Sequence, residues 1–506
     1  MSVIQAAGAG ETSSGFYSHS IGQSLRFEDG DNPYLSKTLS GSGGTIFTFS
    51  CWIKLGNLST NRQLLQGYSD GNNFAQILLY SGNYIGMYSA TSGTARLFAY
   101  TQALQRDPSA WYNIVVKFNG TSGSEEFKIY VNGENQTLTT STSLSAHQSN
   151  IGNSNAHYVG NNFNQSQDMD GYMAEVNFID GTALDADSFG ETKAGIWIPK
   201  ETSGLTFGTN GFRLKFQDSS ALGDDTSGNG NDFSSSGLAS TDVVLDSPTN
   251  NWCVINPLDT ATNTPVFSEG NLAFRAASSQ YANANGTMAF NSNTSEGFYF
   301  EQRYGSSRSG HIGIYQPNFP LSDYYHLTGG GKSYILYPRG SGGGNTYWIG
   351  SETGSGFTQS NTSVSHASGD IIGVAVKNNK IYFSVNGTYV LSGDPVNETN
   401  PAFTVTESEY LPTVSYYGTT AGYVMNFGQD SSFAGLETPQ GNAGGNGIGD
   451  FYYAPPSGYL ALCSANFSDP EIDPAQGEES ADHFNTVLYT GDGSGSQAIT
   501  GVGFQP

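Results

Sequence analysis

Basic residues, cysteines and long apolar runs are all scarce in this chain of 506 residues, and each scarcity removes a class of function. Only 19 Lys and Arg stand against 44 Asp and Glu, a net charge of −25 with no basic stripe to relieve it. That balance opposes nucleic acid and anionic membrane surfaces as partners, and it suits solubility and repulsion between crowded copies. Cys51, Cys253 and Cys463 are odd in number and far apart, so they offer neither a disulfide framework nor a paired metal-binding spacing. Buried free thiols are expected. No stretch reaches the length of a membrane span, and the opening MSVIQAAGAGETSSG has neither the charged start nor the apolar core of a secretion signal. Helix-forming segments are missing too: ALDADSFGE at 183–191 reads as a helical turn, while FAQILLY at 74–80 alternates as readily as it winds.

What the chain does have is 66 glycines, 30 tyrosines and 30 phenylalanines, the material of many short strands joined by turns. FKIYVNG at 127–133 and NKIYFSVNG at 379–387 repeat one device, apolar residues at period two running into Asn-Gly. Alternation puts the apolar set on one sheet face, and Asn-Gly accepts the positive φ of a two-residue hairpin. One such unit in each half of a chain too long for a single core predicts an all-β protein of two antiparallel domains.

Residues 1–20 are small, polar and without periodicity, a tail that is disordered or orders on docking. Strand signals then become dense in FTFSCWIK, WYNIVVKF, FKIYVNG and DGYMAEVNFIDGTAL, where Asp170-Gly171 opens a strand and Leu184 closes the motif. In this order, over 21–198, they resemble the laminin-G-like, concanavalin A-like lectin/glucanase family. The resemblance implies a jelly-roll sandwich whose concave face often carries sugar. GFRLKFQDSSALGDDTSGNGNDF at 211–233 is similar to the opening of many domains of that family, and residues 199–262 are expected to be a connector packed on the first sandwich. SPTNNWCVINPLD at 247–259 reads as a boundary. Over 263–436, Gly369, Asp370, Ile372, Gly373, Phe383 with Asn386-Gly387, Leu411-Pro412 and Asn426-Phe427-Gly428 before Phe433 resemble the SPRY (B30.2-like) family. A bent sandwich whose long loops do the binding is what that implies. Residues 437–506 read as a linker followed by a partial hairpin, HFNTVLYTGDG, expected to begin a further module beyond the chain or to pair with a neighbour.

The whole tandem, with its DTSGNGN connector, DSPTNNW boundary and GYLALCSANF segment, is similar to large structural proteins of marine tailed bacteriophages. This resemblance implies a virion appendage, a tail fibre or a capsid-attached fibre, which needs no signal sequence because particles assemble in the host cytoplasm. Its partners would be other virion proteins through the N-terminal tail, a host cell-surface glycan and further copies of itself. A purely architectural capsid or tail component is the competing reading, and a polysaccharide depolymerase is a third.

Catalysis finds little to work with, and the chain is read as a non-enzyme. Glycoside hydrolysis needs two carboxylates at a defined separation. The resembling family carries them as Glu-x-Asp-x-x-Glu; Glu471-Ile472-Asp473 comes nearest, but Gln476 stands where the second Glu belongs. The seven histidines are scattered outside any nucleophile motif, and GSGGGNTY at 340–347 lacks the Lys-Ser/Thr of a phosphate loop. No cofactor is required. The lectin resemblance implies calcium, for which Asp168 and Asp170 flank one loop while Asp224, Asp225 and Asn229 crowd another. Sugar binding asks for aromatic faces beside amides and carboxylates. Tyr324, Tyr325, His326, Tyr347 and Trp348, with Asp323 and Asn345, fall in predicted loops or at their edges in the second domain and are the candidates.

Overall fold

Apolar alternation becomes paired strands along most of the chain. The computed structural model describes residues 16–503 apart from 57, 59, 306–309, 323–330, 340–344, 354–355, 420–421, 469–471, 474–475, 479, 495–497 and 502. Both Asn-Gly phrases close two-residue hairpins. Asn132 and Gly133 have φ of 48° and 80°, and Asn386 and Gly387 have 49° and 76°, the left-handed pair that a type I′ turn requires. Val131 thereby opposes Glu134, and Val385 opposes Thr388.

The first sandwich consists of two eight-stranded sheets. Its first sheet centres on Trp111–Asn119, Ile46–Leu55 and Gly171–Asp180. The second runs in the order Leu138–Thr142, Thr94–Thr101, Ile85–Thr91, Asn73–Leu79, Arg62–Asp70, Ala156–Val159, Tyr34–Thr38 and Ser234–Ser236. Phe47, Ile53, Ile77, Met87, Val116 and Phe178 fill the space between them. The helical turn expected at 183–191 is a short 3₁₀ turn, Ala186–Ser188. Much of the stretch expected to be a connector completes this sandwich: Phe212–Leu214 and Val243–Val244 join the first sheet and Ser234–Ser236 edges the second. By Ile255–Thr260 the chain has crossed to the other core.

The second sandwich packs an eight-stranded third sheet on a nine-stranded fourth, around Ile312, Leu336, Val374, Phe383, Val414 and Met425. Its boundary needs a correction. Residues 437–467, expected to be linker, fold back over it: Tyr459–Leu460 pairs in parallel with Gly297–Arg303, and Phe451, Tyr459 and Cys463 cover Tyr299 and Tyr382. The rings of that aromatic-proline turn supply the apolar cover that the outer face of the fourth sheet needs. Glu301 fastens the cover, accepting from the N–H of Tyr453 at 2.8 Å and of Tyr452 at 2.9 Å, from the Tyr299 hydroxyl and from the Asn426 amide. Beyond Leu460 the described residues form no strand, and a four-residue helix, Ser480–His483, takes in the first residue of the segment expected to be a hairpin. Two isolated strands bury too little to hold together in water. The three cysteines are free and buried.

The two cores meet at a polar seam. Arg26, Tyr172, Lys54 and Trp111 form one row across four strands of the first sheet, on its outward face. Arg26, fully buried, reaches Asp430 at 2.9 Å, Asp242 at 3.0 Å and Glu269 at 3.3 Å. Lys54 donates to Asp246 at 2.6 Å, to the Asn251 side-chain oxygen and to the Trp252 carbonyl. The Trp111 indole donates to the other oxygen of Asp246, and the Tyr172 hydroxyl donates to the Gly270 carbonyl.

Removing one partner of a buried ion pair leaves the other uncompensated. Lys54→Met is expected to cost about 3–5 kcal/mol in urea unfolding, and adding Asp246→Asn to recover part of it. Burial raises the pKa of Glu301 from the ordinary 4.5 to about 7. A carboxyl raised by folding contributes stability that is complete below its unfolded value and lost as pH rises through its folded one. The stability of the natural protein relative to Glu301→Gln should therefore fall between about pH 4.5 and 7.

Candidate functional site

Each sandwich turns two sheet faces outward, and the four differ in what lies over them. The seam, Ile21 and Trp197 cover the first sheet. The returning segment covers the fourth. On the third, Asn283, His311, Ile335, Thr413 and Ser415 are buried, with the Asn283 amide donating to the Ser322 carbonyl and the Tyr315 hydroxyl to that of Pro320. Among the described residues, the second sheet alone presents a broad row of half-exposed rings.

Strand alternation builds that face. Ala75, Ile77, Leu79, Ile85, Met87, Leu97 and Ala99 point into the core, so Phe74, Gln76, Tyr88, Phe98 and Tyr100 point out. Register aligns them: Ser36, Tyr158, Gln66, Gln76, Tyr88 and Phe98 form one row across six strands, and Ala156, Tyr68, Phe74 and Ala90 form the next. The rings support one another. Phe163 stacks on Tyr68 with centroids 3.7 Å apart, Tyr88 lies 5.4 Å from Phe74 and 5.8 Å from Phe98, and Tyr84 lies 4.5 Å from Tyr100. Gly86 makes room for this group, since a Cβ there would lie 2.8 Å from Tyr100 and 2.9 Å from the Tyr80 ring. Gln66 is buried and accepts from the Phe163 N–H at 2.8 Å, which fixes the stacked ring. Burial holds the Tyr80 and Tyr158 phenols above their usual pKa, so the hydroxyls stay neutral hydrogen-bonding groups. Flat apolar rings beside an amide are what a pyranose requires, with C–H faces on the rings and hydroxyls on the amide.

Sequence reasoning placed the sugar candidates in the other half. Asp323, Tyr324, Tyr325 and His326 lie outside the described residues. Tyr347 is on the strand Thr346–Glu352, not in a loop; its ring is fully buried in the core and its hydroxyl donates to Asp370 at 3.1 Å. Alternation gave it to the inward face, so it is no ligand contact. Trp348, the next residue, faces outward, half-buried beneath the Arg339 guanidinium at 4.7 Å. Asn345 is exposed just before that strand. The aromatic face of the second sheet was missed, although Phe74, Gln76, Tyr88, Phe98 and Tyr100 fall on the non-core phase of three successive strands, with Tyr80 and Tyr84 in the turn between the first two.

The calcium candidates separate. Asp225 is buried and accepts from the N–H groups of Arg213, Ser227 and Asn231 and from the Ser227 hydroxyl. Asn229 spends its amide on the Gly208 and Gly211 carbonyls, and Asp224 is exposed. Those residues hold the loop together and do not fit a cation cage. Asp168 accepts from the Asn161 amide, while Asp170 lies buried under Gly56. Among the described residues no three His, Cys, Asp or Glu side chains converge as metal ligands.

Residues 29–188 match the family model of the concanavalin A-like lectin/glucanases superfamily. The first sandwich is a concanavalin A-like jelly-roll, and a further β-sandwich follows it. No curated protein matches the chain. Solved structures similar to it include domains LG4-5 of the mouse laminin alpha1 chain, at 11% identity over 80% of this chain and 87% of that one, with a TM-score of 0.29. The SPRY domain of human HERC1 is 16% identical over 34% of this chain and 96% of that one, with a TM-score of 0.25. A native heptameric SAP-like pentraxin from Limulus polyphemus is 12% identical over 33% and 80%, with a TM-score of 0.26.

Asp225→Ala strands three N–H groups and is expected to cost about 1–3 kcal/mol, equally with calcium and with EDTA, in thermal unfolding.

Proposed function

We propose that the chain is a non-enzymatic glycan-binding component of a bacteriophage particle, a tail fibre or capsid-attached fibre that displays its first sandwich toward host-surface polysaccharide as a homo-oligomer. The open aromatic face of the second sheet carries the binding part of this reading. Sugar rings stacked across Tyr158, Phe74, Tyr88 and Phe98 would leave hydroxyls within reach of Gln76. The setting in a virion rests on the likeness of the tandem plan to phage structural proteins, and the acidic surface suits many copies held close together.

Binding on a glycan array by the full chain, weakened roughly tenfold or more by Tyr88→Ala with the circular dichroism spectrum unchanged, is the expected outcome. Unaltered binding by Tyr88→Ala would move the site elsewhere, and no binding at all would favour an architectural role. Of the tail expected over 1–20, Phe16 is buried and Ser18 donates to Glu191 of the first sandwich, so the anchor is tested on the particle by deleting residues 1–15, which should leave the sandwiches folded and remove the protein from purified virions, read by mass spectrometry. Undiminished incorporation would refute the tail as anchor.

A further inference from the structure

A cavity of ≈ 500 Å³ opens beside the aromatic face, between the turn at Ser219–Asp224 and the strand Ser234–Ser236. Its size lies within the range of small-molecule sites, roughly 300–1,000 Å³. Ser234 belongs to both places. It edges the second sheet opposite Ser36, which itself opposes Tyr158, so two strand spacings, about 10 Å, separate Ser234 from the ring of the aromatic row nearest to it. Tyr34, on the intervening strand, bridges part of that interval, its ring edge-on to Tyr158 at 6.0 Å.

The cavity has its own chemistry. Ser234 and Ser240 offer hydroxyls that both donate and accept, Ser220 one that accepts while its proton goes to Asp218, Leu222 and Phe233 supply an apolar wall, and Asp224 and Asp232 contribute two carboxylates. No Lys or Arg is among the residues that line it. The loop behind it is held by the saturated Asp225 and by the Asp225 N–H donated to Asp232 at 3.0 Å, so the wall is pre-formed.

Resting on the glycan reading above, we infer that this cavity is the end subsite of the same binding face: a chain lying along the aromatic row crosses the Ser234–Ser236 edge and seats its terminal unit there. The carboxylates accept from sugar hydroxyls and repel acidic sugars, so the ligand is a neutral glycan recognised at its end. Uronic and sialic acids are excluded by charge.

An array carrying neutral oligosaccharides and uronic-acid oligosaccharides of equal length tests this with the full chain. Binding should be confined to neutral members, and Ser234→Trp, which fills the cavity from an exposed edge strand, should weaken it roughly tenfold. Ser220→Trp fills it from the opposite wall and guards against a folding artefact. Asp224→Asn with Asp232→Asn should admit uronic-acid members. Equal binding of acidic and neutral chains, or neutral binding unaltered in both tryptophan variants, overturns the end subsite. If Tyr88→Ala abolishes binding while the tryptophan variants retain it, the glycan reading stands and the subsite falls. Silence across the whole array removes both.

Discussion

Two buried cations decide how the halves of this molecule sit. Arg26 and Lys54 lie on one outward row of the first sheet, and each is met by carboxylates from the second half or from the segment joining the two. Burying a charge costs several kcal/mol unless its partners are in place. Asp430, Glu269 and Asp246 are therefore held in position by the same interactions that hold the sandwiches together. A seam of apolar contacts would tolerate sliding. A seam of directional bonds to Arg26, Lys54, Tyr172 and Trp111 does not.

The seam also fixes which surface remains for function. It occupies the outward face of the first sheet, and the second sheet lies on the other side of the same core. The aromatic row consequently points away from the second sandwich. Among the described residues, the second sandwich covers its own faces with the stretch through Pro320 and Ser322 on one side and with residues 437–467 on the other. What is left open follows from what the chain has used elsewhere as cover.

Much of this was legible in the residues. Asn132-Gly133 and Asn386-Gly387 announced their hairpins because only a few residues accept paired positive φ, and the alternating runs announced strands because one face had to be apolar. The seam was not legible. Arg26 and Lys54 interrupt apolar runs in the way surface residues do, and only register reveals that their side of the sheet is buried by residues about 200 and 400 positions away. Tyr347 and Trp348 show the same limit at closer range: adjacent rings in one short stretch point to opposite faces, and only the strand's phase tells core from surface. The aromatic face was passed over for a related reason. Tyr and Phe count as core formers in a hydrophobicity reading, so rings on the solvent phase look like more core unless the two phases are tracked separately through 73–101.

Rings on the outer phase carry a cost that the fold meets locally. Exposed Tyr and Phe in a row invite self-association, and a net charge of −25 opposes it at long range. The short-range answer is the packing of the rings on each other, Phe163 flat on Tyr68 and the Tyr80, Tyr84, Phe98 and Tyr100 group closed over Gly86. Each ring gives up some exposed area to its neighbour while keeping an outward surface. A ligand that stacks on such a row meets side chains already fixed in place, so little conformational entropy remains to be lost on binding. Rigidity of this kind favours extended, flat-faced ligands that touch several rings at once, because a weak contact at one ring becomes useful only when the next lies in register with it.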